Sequence, residues 1–473
     1  MRPPVATPLA HLPRREDGSV DVDAVADALR AVVPVQVLET VPDAPHAGRW
    51  SYVAVVSGGL RDAGDGSVLS LAGTPSERLG SDPFAAIGAV CDRFGWTPDA
   101  PRDPALPPLS GGLVGALAYD LARRVERIPD GARRDRDVPD VDLAVCTQVV
   151  AIDHREESAL LVAPPGAGAG TPELDVAAIV AAATTPSTAP SPVPGPVRTS
   201  LPERDYVAAV EAVLERIAAG DTFQVNLSQR LTARWDGDVH GLYRALRANS
   251  RAAFGAVVGT SGPLVASVSP ETFLLAEGRA VRTRPIKGTR PRGDDAASDA
   301  ALRSALVDSE KDRAENVMVV DMERNDLGRV CVPGSVHVPR LLELEAHPTV
   351  WHLVSTVEGE LRPDVGYGEL LRAAFPCGSV TGTPKVMAMR IIDGLEPVRR
   401  GAYCGAIGFL SAGAMSTSVA IRTATLFADG TADYGAGGGV VADSDPVSEH
   451  AESLDKAAAF LRAVAATEVV AAG

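Results

Sequence analysis

The sequence predicts an α+β fold. Three observations carry that expectation. An apolar helical period runs through residues 203–217, period-two alternation marks 223–228 and 280–286, and both kinds of segment keep mixing to the C-terminus. There is no internal repeat and no coiled-coil heptad. With 473 residues, 45% of them hydrophobic and 22% charged, the chain can build a large globular core, and its length suggests two or three domains. The formal net charge of −16 argues against nucleic acid or an anionic membrane surface as a partner. An acidic chain that binds an anion must gather positive charge locally, through a metal or a few Lys and Arg side chains.

Two lobes are expected. The first covers residues 1–163 and holds short apolar runs at 32–38 and 50–56. Its stretch 111–120, beginning Gly111-Gly112-Leu113, is too rich in glycine for a clean helix. Residues 164–200 turn to Pro, Ala, Gly and Thr and read as a linker. The second lobe, 201–466, opens with Ser200 and Glu203 spaced as a capping box, then Val207, Val210, Val213, Leu214 and Ile217 at helical spacing until Gly220. Phe223, Val225 and Leu227 then alternate with Gln224, Asn226 and Ser228, which predicts a half-buried strand with one polar face.

The five cysteines, Cys91, Cys146, Cys331, Cys377 and Cys404, form no CxxC pair and no zinc-spaced cluster, so reduced thiols are expected. Met1-Arg2-Pro3-Pro4 leads into no signal-peptide core, and no run is long and apolar enough to span a membrane. A cytoplasmic location is the expectation.

Lys287 stands in Pro285-Ile286-Lys287-Gly288-Thr289, at the tail of the strand-like stretch 280–286. A strand end followed by glycine lets a ligand approach the backbone, and a desolvated lysine there can become a nucleophile. Taken alone, the motif equally describes a lysine with its amine in water. Asp312 with Glu315, and Glu449 with Glu452, lie at i, i+3, which puts each pair on one helical face. If the two helices face each other, their hard oxygens suit Mg²⁺ rather than zinc. Either pair alone is more often a solvated face. Glycine-rich backbone occurs at 378–385, without the Gly-Lys-Ser/Thr ending of a P-loop, and at 435–439, which reads as a tight turn or a set of anion-binding amides. Arg422 can clamp a carboxylate or pair at the surface.

Taken together, these segments resemble the chorismate-binding family, and within it the aminodeoxychorismate synthase component I branch. The resemblance covers nearly the whole chain and is strongest from Gly220 onward. Its motifs are Gly220-Asp221-Thr222-Phe223-Gln224-Val225-Asn226, Ser269-Pro270-Glu271, Pro285-Ile286-Lys287-Gly288-Thr289, Glu315-Asn316, Arg324-Asn325-Asp326-Leu327-Gly328, His352-Leu353-Val354-Ser355 and Ala402-Tyr403-Cys404-Gly405. The first lobe adds Leu38-Glu39-Thr40 and Arg49-Trp50-Ser51-Tyr52, segments that in relatives line a tryptophan pocket.

The resemblance implies two large packed antiparallel β-sheets with helices outside, and a site in the second lobe. It implies Glu315 and Glu452 as direct Mg²⁺ ligands, with Asp312 and Glu449 behind them. Arg422, Tyr403 and the amides of Gly437, Gly438 and Gly439 would hold the enolpyruvyl carboxylate of chorismate. Gln224, Asn226, Gly288, Thr289, Ser379, His352 and Lys456 would complete the pocket. Water-adding relatives carry a lysine base where this chain has Gln224, which cannot take a proton from water. Anthranilate synthases carry a small residue where Lys287 stands, whereas the C4-aminating branch carries lysine. Lys287 and Glu271 are therefore the expected catalytic pair, in a transaminase-class amination for 4-aminobenzoate and folate synthesis. Anthranilate synthesis and a specialised 4-aminobenzoate-type pathway are the alternatives, and a catalytically idle tryptophan-responsive paralogue is the rival of another class. The sequence departs from the family at Cys377, usually glycine, and at Thr383, often alanine. It lacks a G-x-C-x-G elbow, so ammonia must come from solution or from a separate glutamine amidotransferase subunit.

Overall fold

The computed structural model describes residues 4–40, 48–163, 175–183, 192–250, 252–347 and 350–472. Two long strands, Trp50–Asp62 and Val141–Asp153, pair along almost their whole length and belong to two sheets at once. The first sheet runs in the order Ala466–Ala471, Gly195–Thr199, Gln224–Arg234, Thr431–Val440, Thr423–Leu426, Leu264–Ser269, Phe254–Val258, Val35–Thr40, then the two long strands, Ser158–Ala163 and Val5–Pro8. The second runs Glu77–Gly80, Ser67–Leu71, the two long strands, Gly112–Leu117, Ala406–Ser411, Ala414–Val419, Thr272–Glu277, Ala280–Arg284, Val350–Glu360 and His337–Ala346. Every one of these pairings is antiparallel except that of Gly195–Thr199 with Ala466–Ala471.

Small side chains let the sheets approach face to face. Ala116 and Ile407 of the second sheet meet Ala256, Val258 and Val265 of the first, with Ala402 and Ala420 between them. Tyr52 meets Phe409 edge-on at 5.7 Å. Helices cover the outer faces. Helices Val22–Arg30, Val239–Asn249 and Pro446–Ala463 bury Val25, Leu29, Leu242, Leu246 and Phe460 against Val37, Val257, Val268 and Tyr434 of the first sheet. Helices Pro83–Phe94, Glu310–Gly328 and Tyr367–Ala374 cover the second through Phe84, Ile87, Val320, Leu327, Leu370 and Leu371. Each such aliphatic or aromatic side chain contributes about 1.5–3 kcal/mol by leaving water. The expected pair of packed antiparallel sheets with outer helices is the observed fold.

The helix Glu203–Ala218 forms, but its N-cap is Pro202 and no capping box exists. Ser200 instead ties strands: its hydroxyl accepts from the Arg230 amide at 2.9 Å. The strand Gln224–Arg234 forms, yet Gln224, Asn226 and Ser228 are buried rather than solvated, while Phe223 just before it is 64% exposed. Residues 435–439 are no turn but part of the strand Thr431–Val440, paired with 224–234. Within 164–200, Val176–Ala181 is helical with Val176 and Val180 buried, and Gly195–Thr199 is a strand; residues 164–174 and 184–191 lie outside the described residues. The two expected lobes share sheets, since Val35–Thr40 pairs with Phe254–Val258 and Gly112–Leu117 with Ala406–Ser411.

Candidate active site

Lys287 does not end a strand. The strand Ala280–Arg284 stops at Pro285, and a second strand, Ile286–Pro291, resumes beside Val350–Glu360 with a register shift between Ile286 and Thr289. Gly288 makes the shift possible: its φ is +89°, and a Cβ there would stand 2.9 Å from Leu306 and 3.0 Å from Asp312. The irregularity turns the half-buried Lys287 inward, where its Nζ donates to the Ser379 carbonyl at 3.3 Å.

Opposite stands a wall of bare backbone. Gly439 and Gly437 pair with Asn226 and Ser228 across the ladder. A Cβ on Gly439 would lie 2.2 Å from Gln224 Nε2 and 3.6 Å from Lys287 Nζ. A Cβ on Gly438 would lie 3.1 Å from Glu449 Oε2 and 3.3 Å from Lys456 Nζ. Glycine is needed here because the Gln224, Glu449 and Lys456 side chains occupy the space a Cβ would take.

Glu271 sits between the strands Leu264–Ser269 and Thr272–Glu277 and is 4% exposed. Burial pushes its carboxyl up to about 7, against the opposing pull of a Ser379 hydrogen bond, the Lys287 charge and the Ile286 amide. Its Oε1 is buried without a partner among the described residues. A carboxyl of that kind carries a proton near neutrality and can donate it, which is what a general acid needs.

The acidic pairs fall on two helices as read, Asp312 and Glu315 on Glu310–Gly328, Glu449 and Glu452 on Pro446–Ala463. Burial raises the Glu315 carboxyl; Lys287 and Lys311 oppose the rise, while Asp312 and Glu449 add to it, so the two pairs feel each other. Burial also works on Glu452, but Lys456, Lys311 and Lys287 hold it below its ordinary value. Lysines and an arginine lie among them: Lys456 to Glu452 at 2.8 Å, Lys311 to Glu449 at 3.8 Å and Arg290 to Asp312 at 2.8 Å. Among the described residues, no three of His, Cys, Asp and Glu stand close enough to hold a metal ion. The donor set is nonetheless all carboxylate, the chemistry that fits a hard dication.

The remaining predicted residues ring this centre. His352 Nδ1 and Thr289 Oγ1 are 2.9 Å apart, and burial drives the imidazole down to about 3, so it is neutral. Tyr403 is buried, and its ring fills the space above Gly435. Arg422, at φ +52°, reaches Ser250 Oγ at 3.4 Å and with Lys456, Asn249, Asp455 and Arg462 lines a cleft of about 330 Å³. Lys456 Nζ donates to the Gly437 carbonyl at 3.0 Å.

The expected tryptophan-pocket residues form a separate group. Glu39 accepts from the Tyr243 hydroxyl at 2.6 Å and from Arg247. The Thr40 amide donates to Ser51 Oγ at 3.0 Å, and that hydroxyl is 2.6 Å from His154 Nε2. Leu38 and Tyr52 lie opposite each other in the ladder, and Arg49 pairs with Asp153 and covers the Trp50 ring at 4.9 Å.

Sequence reading passed over Lys311, Arg400 and Glu323. Glu323 had a signal: it falls at helical spacing with Asn316, Val319, Val320 and Leu327, a charge on the face that proves buried.

The chorismate binding enzyme family profile matches residues 85–462. The aminodeoxychorismate synthase component 1 of Escherichia coli K12 is 40% identical over 382 residues, 80% of this chain and 82% of that protein. The anthranilate synthase component 1 of Mycobacterium bovis is 38% identical over 457 residues, 92% of this chain and 88% of the relative. The crystal structure of anthranilate synthase component I from Streptococcus pneumoniae superposes with a TM-score of 0.74 at 29% identity, covering 89% of this chain and 92% of that one. The chain belongs to the chorismate binding enzyme family. It is a chorismate-utilising enzyme of the aminodeoxychorismate and anthranilate synthase type. No helix among the described residues is long and apolar enough to cross a membrane.

Proposed function

We propose that the chain is an aminodeoxychorismate synthase component I, which converts chorismate and ammonia into 4-amino-4-deoxychorismate in the cytoplasm, on the route to 4-aminobenzoate and folate. One observation carries the choice over anthranilate synthesis: the Lys287 amine lies inside the pocket, 3.3 Å from the Ser379 carbonyl and close enough to Glu271 and Glu315 to shift both. A lysine in that place is a nucleophile in waiting.

Replacing the C4 hydroxyl on its own carbon with retention calls for two displacements. The Lys287 amine attacks C2, the double bond shifts, and the C4 hydroxyl leaves with the Glu271 proton as water. Ammonia then attacks C4, and the lysine departs from C2 as the free amine, taking up the proton that the incoming nitrogen gives up. The proton released when the Lys287 nitrogen bonds to C2 returns to Glu271. Gln224 occupies the place of a water-activating base without supplying one. Arg422, Tyr403 and the glycine wall orient the enolpyruvyl carboxylate. Glu315 and Glu452, with Asp312 and Glu449 behind them, would hold Mg²⁺, which when bound neutralises the ring carboxylate. A separate glutamine amidotransferase subunit would supply the ammonia, as the name component 1 of the relatives suggests.

The test is direct. The purified chain is incubated with chorismate, Mg²⁺ and ammonium at mildly alkaline pH, with and without aminodeoxychorismate lyase. The expected product yields 4-aminobenzoate only when lyase is present. Lys287→Ala is expected to lose that product by at least about a hundredfold. Fluorescent anthranilate formed by the unaltered chain without lyase would place amination at C2 and overturn the reading.

A further inference from the structure

Behind Glu271 lies a second buried carboxyl that the mechanism above does not use. Glu323, on the inner face of the helix Glu310–Gly328, is 4% exposed, and its Oε2 accepts from Thr283 Oγ1 at 2.5 Å. Its Oε1 accepts from the Cys377 thiol at 3.5 Å. Cys377 Sγ is 3.3 Å from Ser379 Oγ, and the Ser379 hydroxyl is near enough to the Glu271 carboxyl to oppose its rise. All four are buried. They set a row of proton-bearing groups between Glu323 and the carboxyl read above as the acid.

We propose that Glu323 is a positioning residue that shares one proton with Glu271 through the Cys377 thiol and the Ser379 hydroxyl. Each bridging group can both donate and accept, so the line can run in either direction. With Glu271 protonated, it donates to Ser379, Ser379 to Cys377, and Cys377 to the Glu323 carboxylate. When the shared proton rests on Glu323 instead, the line runs the other way: as the C4 hydroxyl leaves, the Glu323, Cys377 and Ser379 protons each move one place toward Glu271, which passes the one it receives to the departing oxygen. Both carboxyls are then ionised, with Glu323 held by Thr283. The proton lost by the Lys287 nitrogen on forming its bond to C2 restores the pair, so no net proton is consumed.

The surroundings favour such sharing. Burial pushes Glu323 up to about 8, with Glu271 and Asp326 adding to the rise and Thr283 and Lys385 opposing it. Burial likewise holds the Cys377 thiol well above its ordinary value, with Glu323 and Glu271 reinforcing the effect, so the sulfur stays protonated in the line. Two interacting carboxyls of this kind titrate as a pair. A second role falls to Cys377, the position where the family resemblance led us to expect glycine, since glycine would break the line.

The inference rests on the reading of Glu271 as the acid, and the test separates the two. Steady-state turnover of chorismate is followed against pH at constant free ammonia in the unaltered chain and in E271Q, E323Q, C377A and C377S. While a shared proton remains, the line can deliver it, so the alkaline limb of kcat follows the last proton of the pair. Without the line it follows Glu271 alone. E323Q and C377A are each expected to move that limb down by about one pH unit and to lower kcat on the order of tenfold at mildly alkaline pH. KM for chorismate should change little. C377S, which restores a donor and acceptor, should return the limb toward its original position. Should E323Q fail to fold, C377A against C377S carries the same comparison. Unshifted limbs in E323Q and C377A beside an inactive E271Q would overturn the relay alone. Full turnover by E271Q would overturn the acid assignment and the relay with it.

Discussion

A single methyl group measures how tightly the site is drawn. At Gly439 it would stand 2.2 Å from Gln224 Nε2, and Gln224 is itself only 2% exposed. Gly439→Ala should therefore push that amide toward the Lys287 amine. Overpacking of this sort costs about 1–3 kcal/mol, and kcat/KM for chorismate should fall at least about tenfold. Gly394→Ala is the matched control, a position in the helix Lys385–Leu395 where a Cβ would meet nothing within 4 Å. It should gain about 0.5–1 kcal/mol and leave turnover intact. Denaturant titration and steady-state rates read both. A loss of equal size in the two variants would mean that Gly439 is ordinary backbone. At this scale the residues of the site were legible where chemistry and period coincide: the two acidic i, i+3 pairs fall on helices as expected. Glu323 escaped because a lone carboxylate on a helix reads as solvated until its partners, distant in sequence, are known.

Among the elements, Arg400 joins what the active site needs held still. Its guanidinium donates to the carbonyls of Asn226 at 2.6 Å and Val380 at 2.8 Å, pairs with Glu396, and lies 4.5 Å from the Tyr119 ring centre. The strand Gln224–Arg234, the turn Gly378–Val380 that carries Ser379, and the end of the helix Lys385–Leu395 are thus fastened to one side chain. Arg400→Met would leave Glu396 buried and unpaired, a loss of about 3–5 kcal/mol. Replacing both partners, Arg400→Met with Glu396→Leu, should recover much of that stability. It should not recover activity, because the two carbonyls lose their donor. Midpoints of denaturant unfolding beside turnover distinguish these outcomes; recovery of both would reduce Arg400 to a mere ion pair. The elements themselves were largely legible, and their surroundings were not. Alternation put Gln224, Asn226 and Ser228 on one face, but period two says nothing about whether that face meets water or another part of the chain. The same limit hid the paired strand in the glycines at 435–439, whose ladder partner lies about two hundred residues away.

For the whole molecule, the decisive fact is that neither half of the sequence completes a sheet. The strand Val35–Thr40 is hydrogen-bonded to Phe254–Val258, and Gly112–Leu117 to Ala406–Ser411, so each sheet is joined near its middle across the two halves. The cluster of Ala116, Ala256, Val258, Val265, Ala402, Ile407 and Ala420 closes the space between them. Parting the halves would expose that cluster and deprive four strands of one ladder partner each, leaving their backbone groups unpaired. Chains of this length often unfold in stages, so a single transition is a real demand on the fold. Two tryptophans report on opposite sides: Trp96, stacked on Phe94 at 4.6 Å in the core of the second sheet, and Trp235, 3% exposed in the core of the first. Variants that keep one of these tryptophans, with the other three changed to phenylalanine, should lose native fluorescence at the same denaturant concentration, and that midpoint should match loss of secondary structure. If Trp96 and Trp235 instead reported transitions well apart, the halves would be separable units merely resting on one another, and the active site, built on strands from 224 onward, would be expected to survive the melting of the first. Coincidence would mean that the first lobe is a structural part of the catalytic one.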